Sequence, residues 1–386
     1  MKEGFRIIDA DRHVVEPLHL WSEYLEPEFR QYAPKMGAPI DEPLEERVAR
    51  LGARGLIPLL NMPTLDGKPL WNGMTEQAWI EISTTAYNRL GSVIRYDDPA
   101  TYLADMDRTG VDISFLYPGH ALLIEGFTQI EPTVASAFAR AYNSWLRDFC
   151  SKSPQRLRGI GLISLHDPAR MLSELERVVG FGWKAVIVRP NPIHGRTLSD
   201  PAYEPFWAAC ERHSLAVTIH NSTESYVPSA GADRFKTHFA LHACAHPMEQ
   251  MMALLSLIEG GVLERYPKLR IAGLEGGCGW LPFWLWRLDE LEYGYVKDEV
   301  AEHVRMKPSA YFRRQYFVAL EPGEPMLPEV IRHVGEDNLV FGTDFPHPDH
   351  HLDAVDELLA LREKLPEQTL RKILWDNPAR LFGIEE

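Results

Sequence analysis

Eight short apolar runs, separated by segments with helical spacing, constrain the fold of this chain more than any other feature. The runs cover residues 7–13, 113–117, 159–165, 185–191, 216–222, 269–275, 317–321 and 339–345. Their residues are apolar at consecutive positions, which is typical of strands buried on both faces of a parallel sheet. Eight such strands with helices between several of them predict a (β/α)8 barrel.

A doubly wound open sheet is the alternative architecture for this pattern. No G-x-G-x-x-G or phosphate-binding loop follows any of the eight runs, which favours the barrel. The 386 residues could form one large domain or two, but no internal repeat or low-complexity segment divides them. We therefore predict a single domain over residues 1–386.

A long irregular stretch over residues 26–100 lies between the first run and the second. It is rich in proline, glycine and aromatic residues, with Trp71 and Trp79 among them, and only its middle part at residues 76–83 has a helical pattern. Loops of this length within a compact domain are usually functional, commonly as lids. We predict an inserted cap over the site, against the alternative of an insertion without function.

Composition and charge narrow the class of partner. The formal net charge of −15 argues against nucleic-acid binding, which requires a basic patch, but it permits a small anionic substrate. No run approaches the ~18 apolar residues of a membrane span, and the amino terminus has no apolar signal region. The four cysteines show no CxxC spacing, so neither a disulfide framework nor a thiolate zinc site is indicated. We predict a cytoplasmic enzyme with a small-molecule substrate.

Potential metal ligands stand at the end of the first run. Because alternate side chains of a strand share a face, Asp9, Asp11 and His13 are expected on one side. Carboxylate oxygen and imidazole nitrogen suit a divalent cation. An Asp-rich turn with a surface histidine explains these residues equally well when they are taken alone.

Other ionisable residues collect at the ends of later runs, where the active site of a (β/α)8 barrel lies. They are His166, Arg189, His220, Glu275 and Asp344, and Glu16 stands just beyond the first run. A lone histidine at a strand end is usually a packed polar group. The joint occurrence of such residues after the first, fifth and eighth runs is not what packing requires, and it predicts a functional site.

These strand ends, together with other motifs, resemble the amidohydrolase superfamily. The resemblance is carried by Asp11 and His13, His220, Gly342-Thr343-Asp344-Phe345-Pro346-His347, Asn377-Pro378-Ala379-Arg380-Leu381-Phe382, and the stretches at 103–107, 141–145 and 280–282. Within the superfamily the sequence is similar to the branch that contains aminocarboxymuconate-semialdehyde decarboxylase and γ-resorcylate decarboxylase. The resemblance covers most of the chain and leaves out residues 26–100.

The resemblance implies one divalent metal ion, bound by Asp11, His13, His220 and Asp344. This mixed oxygen and nitrogen set suits Zn2+, with Mn2+ as the alternative, and leaves room for water or substrate. Asp344 would also accept or relay a proton beside the metal. A second metal in this superfamily commonly needs a lysine on the fourth strand. Lys184 precedes that strand and no lysine lies on it, so we predict one metal ion.

Two features depart from the decarboxylases of this branch. Their sixth strand ends in a histidine that works as an acid and base, whereas this chain has Glu275 there and Cys278 at the acidic position three residues later. The first ligand is Asp11 rather than histidine or glutamate, and Glu16 could compete for its role. Since a buried carboxyl group of raised pKa can exchange protons, we expect Asp344, Glu275 and Glu16 to be catalytic.

The sequence evidence for substrate-binding residues is weaker than that for the metal ligands. Arg189 could pair with a carboxylate through two hydrogen bonds, although an ion pair with a neighbouring acid explains it as well. His166 and His120 could face the cleft, and His347 could orient a metal ligand. The apolar stretch at 281–288 is expected to be core and a potential subunit contact, so a homo-oligomer (dimer or tetramer) is predicted.

Two enzymatic functions agree with these residues. The first is a metal-dependent, non-oxidative decarboxylase of an aromatic or conjugated carboxylic acid. The alternative is a hydrolase that uses metal-bound hydroxide against an amide, ester, lactone or vinylogous C–C bond, and Glu275 in place of histidine favours it. A binding protein without turnover would not need all four predicted ligands.

Overall fold

The computed structural model describes residues 1–36, 63–75, 78, 81–82, 98–223, 225–347 and 353–385. This part of the chain contains eight parallel barrel strands: β1 (Ile8–His13), β2 (Ile113–Tyr117), β3 in two segments (Leu157–Gly159 and Gly161–Leu162), β4 (Ala185–Val188), β5 (Ala216–Ile219), β6 (Arg270–Gly273), β7 (Tyr316–Leu320) and β8 (Leu339–Phe341). Each strand pairs with its neighbours in chain order, and the two segments of β3 divide the ladder into two sheets.

The barrel closes where β8 returns to β1. The backbone N–H groups of Thr343 and Asp344 donate to the Asp11 carbonyl at 3.1 and 2.7 Å, and the His13 N–H donates to the Phe345 carbonyl at 2.7 Å. These bonds lie just beyond the last ladder residues of β8, at the end where the site was predicted. The predicted (β/α)8 barrel is confirmed.

Helices cover the outside of the barrel. The principal ones are α1 (Pro99–Thr109), α2 (Pro132–Cys150), α3 (Pro168–Gly180), α4 (Glu204–Arg212), α5 (His238–Glu259), α6 (Pro308–Gln315), α7 (Leu327–Val334) and α8 (Ala354–Leu359). Local sequence fixes their ends: the Asp98 side chain caps α1, and Gly110, with φ +83°, ends it. None of the described helices combines the length and the apolar character needed to cross a bilayer.

Shorter helical segments connect these elements. The α-helical ones are His19–Tyr24, His120–Ile124, Val262–Arg265, Leu281–Trp286, Tyr293–Val296, Glu367–Arg371 and Asn377–Phe382. The 3-10 segments are Pro27–Tyr32, Pro201–Tyr203, Lys297–Glu299 and Ala360–Glu363, and the π-helical ones are Arg287–Glu292 and Lys372–Asp376.

Two asparagines of the recognised motifs hold the barrel together. Asn143 on α2 accepts the Leu162 N–H at 2.8 Å and donates to the Leu162 carbonyl at 2.9 Å, where β3 is interrupted. Asn377 donates to the carbonyls of Glu336 and Leu339, both at 2.7 Å, at the start of β8. A buried backbone group without a hydrogen-bond partner costs free energy of folding. Each asparagine therefore supplies hydrogen bonds that the strands do not provide.

Part of the predicted cap is described. A small antiparallel sheet is formed by Lys35–Met36, Pro63–Leu65 and Lys68–Pro69. The Tyr226 hydroxyl donates to the Pro69 carbonyl at 2.9 Å, so this sheet lies against the loop that follows β5. Trp79 and most of the predicted helix at 76–83 lie outside the described residues. The division into one domain with an inserted cap stays a prediction.

Candidate metal centre

Four ligand-type side chains come together at the C-terminal end of the barrel. Asp11 and His13 are on β1, His220 follows β5, and Asp344 follows β8. All four are buried, and their ligand atoms lie within 4.8 Å of one another. The structure therefore brings together the set that the resemblance implied, and we call this set the metal group.

The separations within the metal group match those of atoms on one ion. His13 Nε2 lies 3.0 Å from His220 Nε2 and 3.1 Å from Asp344 Oδ1. Asp11 Oδ1 lies 3.7 and 3.8 Å from the same two histidine nitrogens. Two ligands that bind a tetrahedral ion at about 2.0–2.1 Å are about 3.4 Å apart.

Backbone contacts fix which nitrogen of each ring carries hydrogen. His13 Nδ1 lies 2.9 Å from the Pro118 carbonyl, and His220 Nδ1 lies 2.6 Å from the Asn221 carbonyl. Because a carbonyl only accepts, each Nδ1 donates, and a neutral ring then presents a lone pair at Nε2. Burial lowers the pKa of both histidines from the ordinary value to about 4, so both rings are neutral at pH 7.

The metal group therefore brings several hydrogen-bond acceptor atoms close together. Two Nε2 lone pairs face each other across 3.0 Å, and Glu275 Oε2 lies 2.8 Å from His220 Nε2. Asp11 Oδ1 is buried and accepts no hydrogen bond from any described residue. Burial, together with the neighbouring Asp344 and Glu275, raises the pKa of Asp11 well above its usual range. Such a set of neutral imidazoles and buried carboxylates fits a divalent cation.

Asp9 lies outside the metal group. Its carboxylate accepts the N–H of Thr343 at 2.9 Å and the hydroxyl of Thr343 at 2.6 Å. A register shift between Asp9 and Arg12 breaks the strict alternation that the sequence predicts for β1. Asp9 is therefore a structural acid that joins β1 to the end of β8.

Two site residues hold a left-handed backbone. Glu275 has φ +48° and Asp344 has φ +50°. A non-glycine residue in this region costs about 1–3 kcal/mol and persists only where surrounding contacts enforce it, commonly at functional sites. Gln250 enforces the path before Glu275, because its side-chain N–H2 donates to the carbonyls of Ile219 and Leu274 at 2.9 and 2.7 Å.

Glu275 and His347 border the metal group. Glu275 contacts His220, as described, and its Oε1 lies 3.7 Å from His246 Nε2. His347 Nδ1 lies 2.9 Å from Asp344 Oδ1, and its ring stacks on His13 with the centroids 4.2 Å apart. His347 thus lies beside Asp344 of the metal group, and its role in orienting a ligand stays a prediction. His246 was not predicted, although the spacing of four between His242 and His246 on α5 was a usable signal.

Glu16 makes a different set of contacts. Its buried carboxylate accepts the N–H groups of Gly119, His120 and Ala121 at 3.1, 2.7 and 3.1 Å. Burial raises the pKa of Glu16. These contacts fix the loop after β2 and do not place Glu16 among the metal group, so its catalytic role stays a prediction.

The predicted substrate-binding residues have structural partners. The terminal nitrogens of Arg189 donate at 2.7–3.0 Å to the Leu122 carbonyl and to the side chains of Asn191, Asn221, Ser222 and Ser225. Burial lowers the pKa of Arg189 to about 10. These bonds tie two loops together and favour the structural explanation of Arg189. Its pairing with a substrate stays a prediction.

His166 and His120 are not members of the metal group. His166 is buried, with Nδ1 3.3 Å from Glu125 Oε2 and Nε2 3.2 Å from the Phe127 carbonyl. The ring of His120 lies edge-on to Trp71 of the predicted cap, with the centroids 5.8 Å apart. His120 therefore connects the cap to the loop after β2.

A cavity of about 400 Å3 opens beside Glu275. It is lined by His242, Ala243, His246, Pro247, Glu275, Gly276, Gly277, Glu321 and Glu324. Cys278 donates its N–H and its thiol to Glu324, both at 3.0 Å. Glu324, in the loop after β7, thus places a carboxylate beside Cys278, the position where the resemblance implies an acid.

Known proteins are similar to this chain in sequence and in fold. The amidohydrolase family model matches residues 8–384. A 2-amino-3-carboxymuconate-6-semialdehyde decarboxylase of Dictyostelium discoideum is 26% identical over 291 residues, which cover 75% of this chain and 77% of that protein. A γ-resorcylate decarboxylase of Polaromonas sp. is 26% identical over 266 residues, which cover 66% of this chain and 78% of that protein.

A solved structure extends the comparison. It is a dihydroxybenzoic acid decarboxylase of Polaromonas sp. with bound manganese and the inhibitor 2-nitroresorcinol. The two structures superpose with a TM-score of 0.68 at 19% sequence identity, over 99% of this chain and 98% of that chain. The likeness supports the barrel described above.

Proposed function

Because the chain belongs to the amidohydrolase family, we propose that it is a metal-dependent, non-oxidative decarboxylase of an aromatic or conjugated carboxylic acid. The family predicted from the sequence motifs is confirmed, and both relatives described above are decarboxylases. The observation that carries the proposal is the buried metal group, in which two neutral imidazoles and two carboxylates point at one place.

We assign one divalent ion to Asp11, His13, His220 and Asp344. When bound, such an ion supplies a Lewis acid that can hold the carboxylate and an adjacent oxygen of the substrate. Zn2+ suits the donor set, and Mn2+, the ion in the Polaromonas structure, is the alternative. The substrate class is proposed from the relatives, which act on carboxylic acids of this kind.

The side chains around the cavity would transfer the proton that decarboxylation consumes. Decarboxylation requires a proton at the carbon that bears the carboxylate. The C–C bond then breaks, its electron pair returns to the conjugated system, and CO2 leaves. Glu275 lines the cavity and contacts the metal group, so we propose that it donates this proton and regains one from solvent. Asp344 and His347, 2.9 Å apart, form the neighbouring relay.

Release of CO2 from a panel of hydroxybenzoates tests the proposal. We expect metal-loaded enzyme to release CO2 and Asp344→Asn to reduce the rate at least about a hundredfold, with the circular dichroism spectrum unchanged. Asp298→Asn, at an exposed position that is not part of the metal group, is the matched control and should keep the wild-type rate. A metal-loaded enzyme that hydrolyses model lactones and releases no CO2 would contradict the proposal.

A metal-dependent hydrolase is the second candidate. The cavity favours it in one respect, since its described lining holds three glutamates and no lysine or arginine. Such a surface suits a neutral substrate better than a carboxylate. Glu275 in place of the histidine of the decarboxylases points the same way. The CO2 and lactone assays separate the two candidates.

We also propose that the chain forms a homo-oligomer. Phe283 and Trp286 are 55% and 53% exposed, and Met248 and Met252 of α5 are 47% and 46% exposed. The Trp284 indole donates to the Met251 carbonyl, so both segments belong to one surface. Clustered apolar side chains mark interaction surfaces. Sedimentation is expected to give a multiple of 44.0 kDa, and a mass of one chain would contradict the oligomer.

A further inference from the structure

We propose that His242, His246 and Glu275 form a second divalent-cation site beside the metal group. Their ligand atoms lie within 4.8 Å of one another at the wall of the cavity. The proposal concerns cation binding. An ion here would bind Glu275 as a carboxylate, so the proton donation proposed above would belong to the enzyme without this ion. It adds an ion to the single one assigned above.

Helix geometry places the two imidazoles together. His242 and His246 are four residues apart in the 22-residue helix α5, so they share one face, and their ring centroids are 4.8 Å apart. Two histidines at this spacing on a helix supply two ligands to one zinc ion in many metalloproteases. His242 and His246 are the fifth and ninth residues of α5, and Pro247 follows them within the helix.

Glu275 supplies the third ligand and stands between the two groups. Its Oε2 lies 2.8 Å from His220 Nε2, and its Oε1 lies 3.7 Å from His246 Nε2. A carboxylate with one oxygen toward each group can bridge two ions, as carboxylates do in two-metal sites. The Thr223 hydroxyl, 3.0 Å from His246 Nε2, adds a neutral oxygen that such an ion would also meet.

The electrostatics of the cavity favour a cation. Glu321 and Glu324 line the same cavity, and no lysine or arginine belongs to its described lining. Acidic walls concentrate cations from solvent. The cavity is open and His242 is only partly buried, so an ion can enter and leave without rearrangement of the barrel. Imidazole and carboxylate together suit Zn2+, Co2+ or Mn2+.

This arrangement would bind a second ion without the fourth-strand lysine that a second metal commonly needs in the superfamily. The chain has no lysine on β4. Histidines of α5 and the carboxylate after β6 would replace it. With only three protein side chains and an open cavity, we expect the second ion to bind more weakly than the ion of the metal group.

Metal stoichiometry tests the site without any measurement of activity. Full-length protein stripped with a chelator is dialysed against Zn2+ or Co2+, and the bound metal is counted by mass spectrometry. We expect two equivalents for the wild type and one for His242→Ala and for His246→Ala. His238→Ala, one turn earlier on α5 and outside the three-residue group, is the matched control and should keep two.

His13→Ala distinguishes this site from the metal group. It should lose the tighter equivalent and keep the weaker one, and the electronic spectrum of bound Co2+ should change accordingly. One equivalent in the wild type, or two equivalents in the folded His242→Ala/His246→Ala double variant, would overturn the proposal. Neither result would bear on CO2 release.

Discussion

Gly342 permits the close approach of β1 and β8 that assembles the metal group. A Cβ at this position would lie 2.6 Å from the Asp11 Cβ and 3.4 Å from the Asp11 nitrogen. Packed carbon atoms are about 3.5–4.0 Å apart. The atoms nearest to the added methyl group are the first side-chain carbon and the backbone, so no flexible chain end can yield.

We therefore expect Gly342→Ala to displace Asp11. The affinity for the first metal equivalent should fall at least about tenfold, and overpacking should lower the free energy of unfolding by about 1–3 kcal/mol. Equilibrium dialysis and urea denaturation measure the two effects. Gly180→Ala, at the end of α3 where a Cβ meets nothing within 4 Å, is the control. Wild-type metal affinity in Gly342→Ala would show that the strands can separate without moving the ligand.

At the same scale, the sequence was sufficient for residues that lie at strand ends. Asp11, His13, His220 and Asp344 each lie at such an end, and a barrel brings the C-terminal ends of its strands together on one side. Arg189 stands at one too, but three of its partners (Asn221, Ser222 and Ser225) follow β5, and no local pattern predicts these contacts. Glu16 is similar, because its three backbone donors belong to residues 119–121.

At the scale of the elements, the strands were predictable, but the C-terminal ends of several of them were not. The run at 113–117 coincides with β2, whereas the runs at 185–191, 216–222 and 339–345 end later than β4, β5 and β8. The surplus residues include the polar side chains of the site. A chain that leaves the ladder to present such groups can remain apolar and buried, so periodicity alone cannot locate the boundary.

Helix α5 shows a second kind of limit. The His242 and His246 spacing is visible in the sequence, but the contact of His246 with Glu275 depends on how α5 packs over the ends of β5 and β6. Gln250 sets that packing through its bonds to the carbonyls of Ile219 and Leu274. Such long-range contacts are specified by tertiary structure, and residue spacing does not reveal them.

At the scale of the whole molecule, closure of the barrel gives the metal group its burial. Asp11 and Asp344 come from opposite ends of the chain, and the hydrogen bonds from residues 343 and 344 to the Asp11 carbonyl join them. The resulting site lies in a chain of net charge −15, which attracts cations to the acidic cavity. We therefore propose that the barrel, its acidic opening and the buried acceptors together favour cation binding.

Anomalous X-ray scattering tests the central claim most directly. Crystals of the metal-loaded protein, measured above and below the Zn or Mn absorption edge, are predicted to show a strong peak between Asp11, His13, His220 and Asp344. The same peak should be absent from crystals of Asp344→Asn grown in the same metal. A wild-type protein that carries its metal elsewhere, with no peak between these four side chains, would contradict the account.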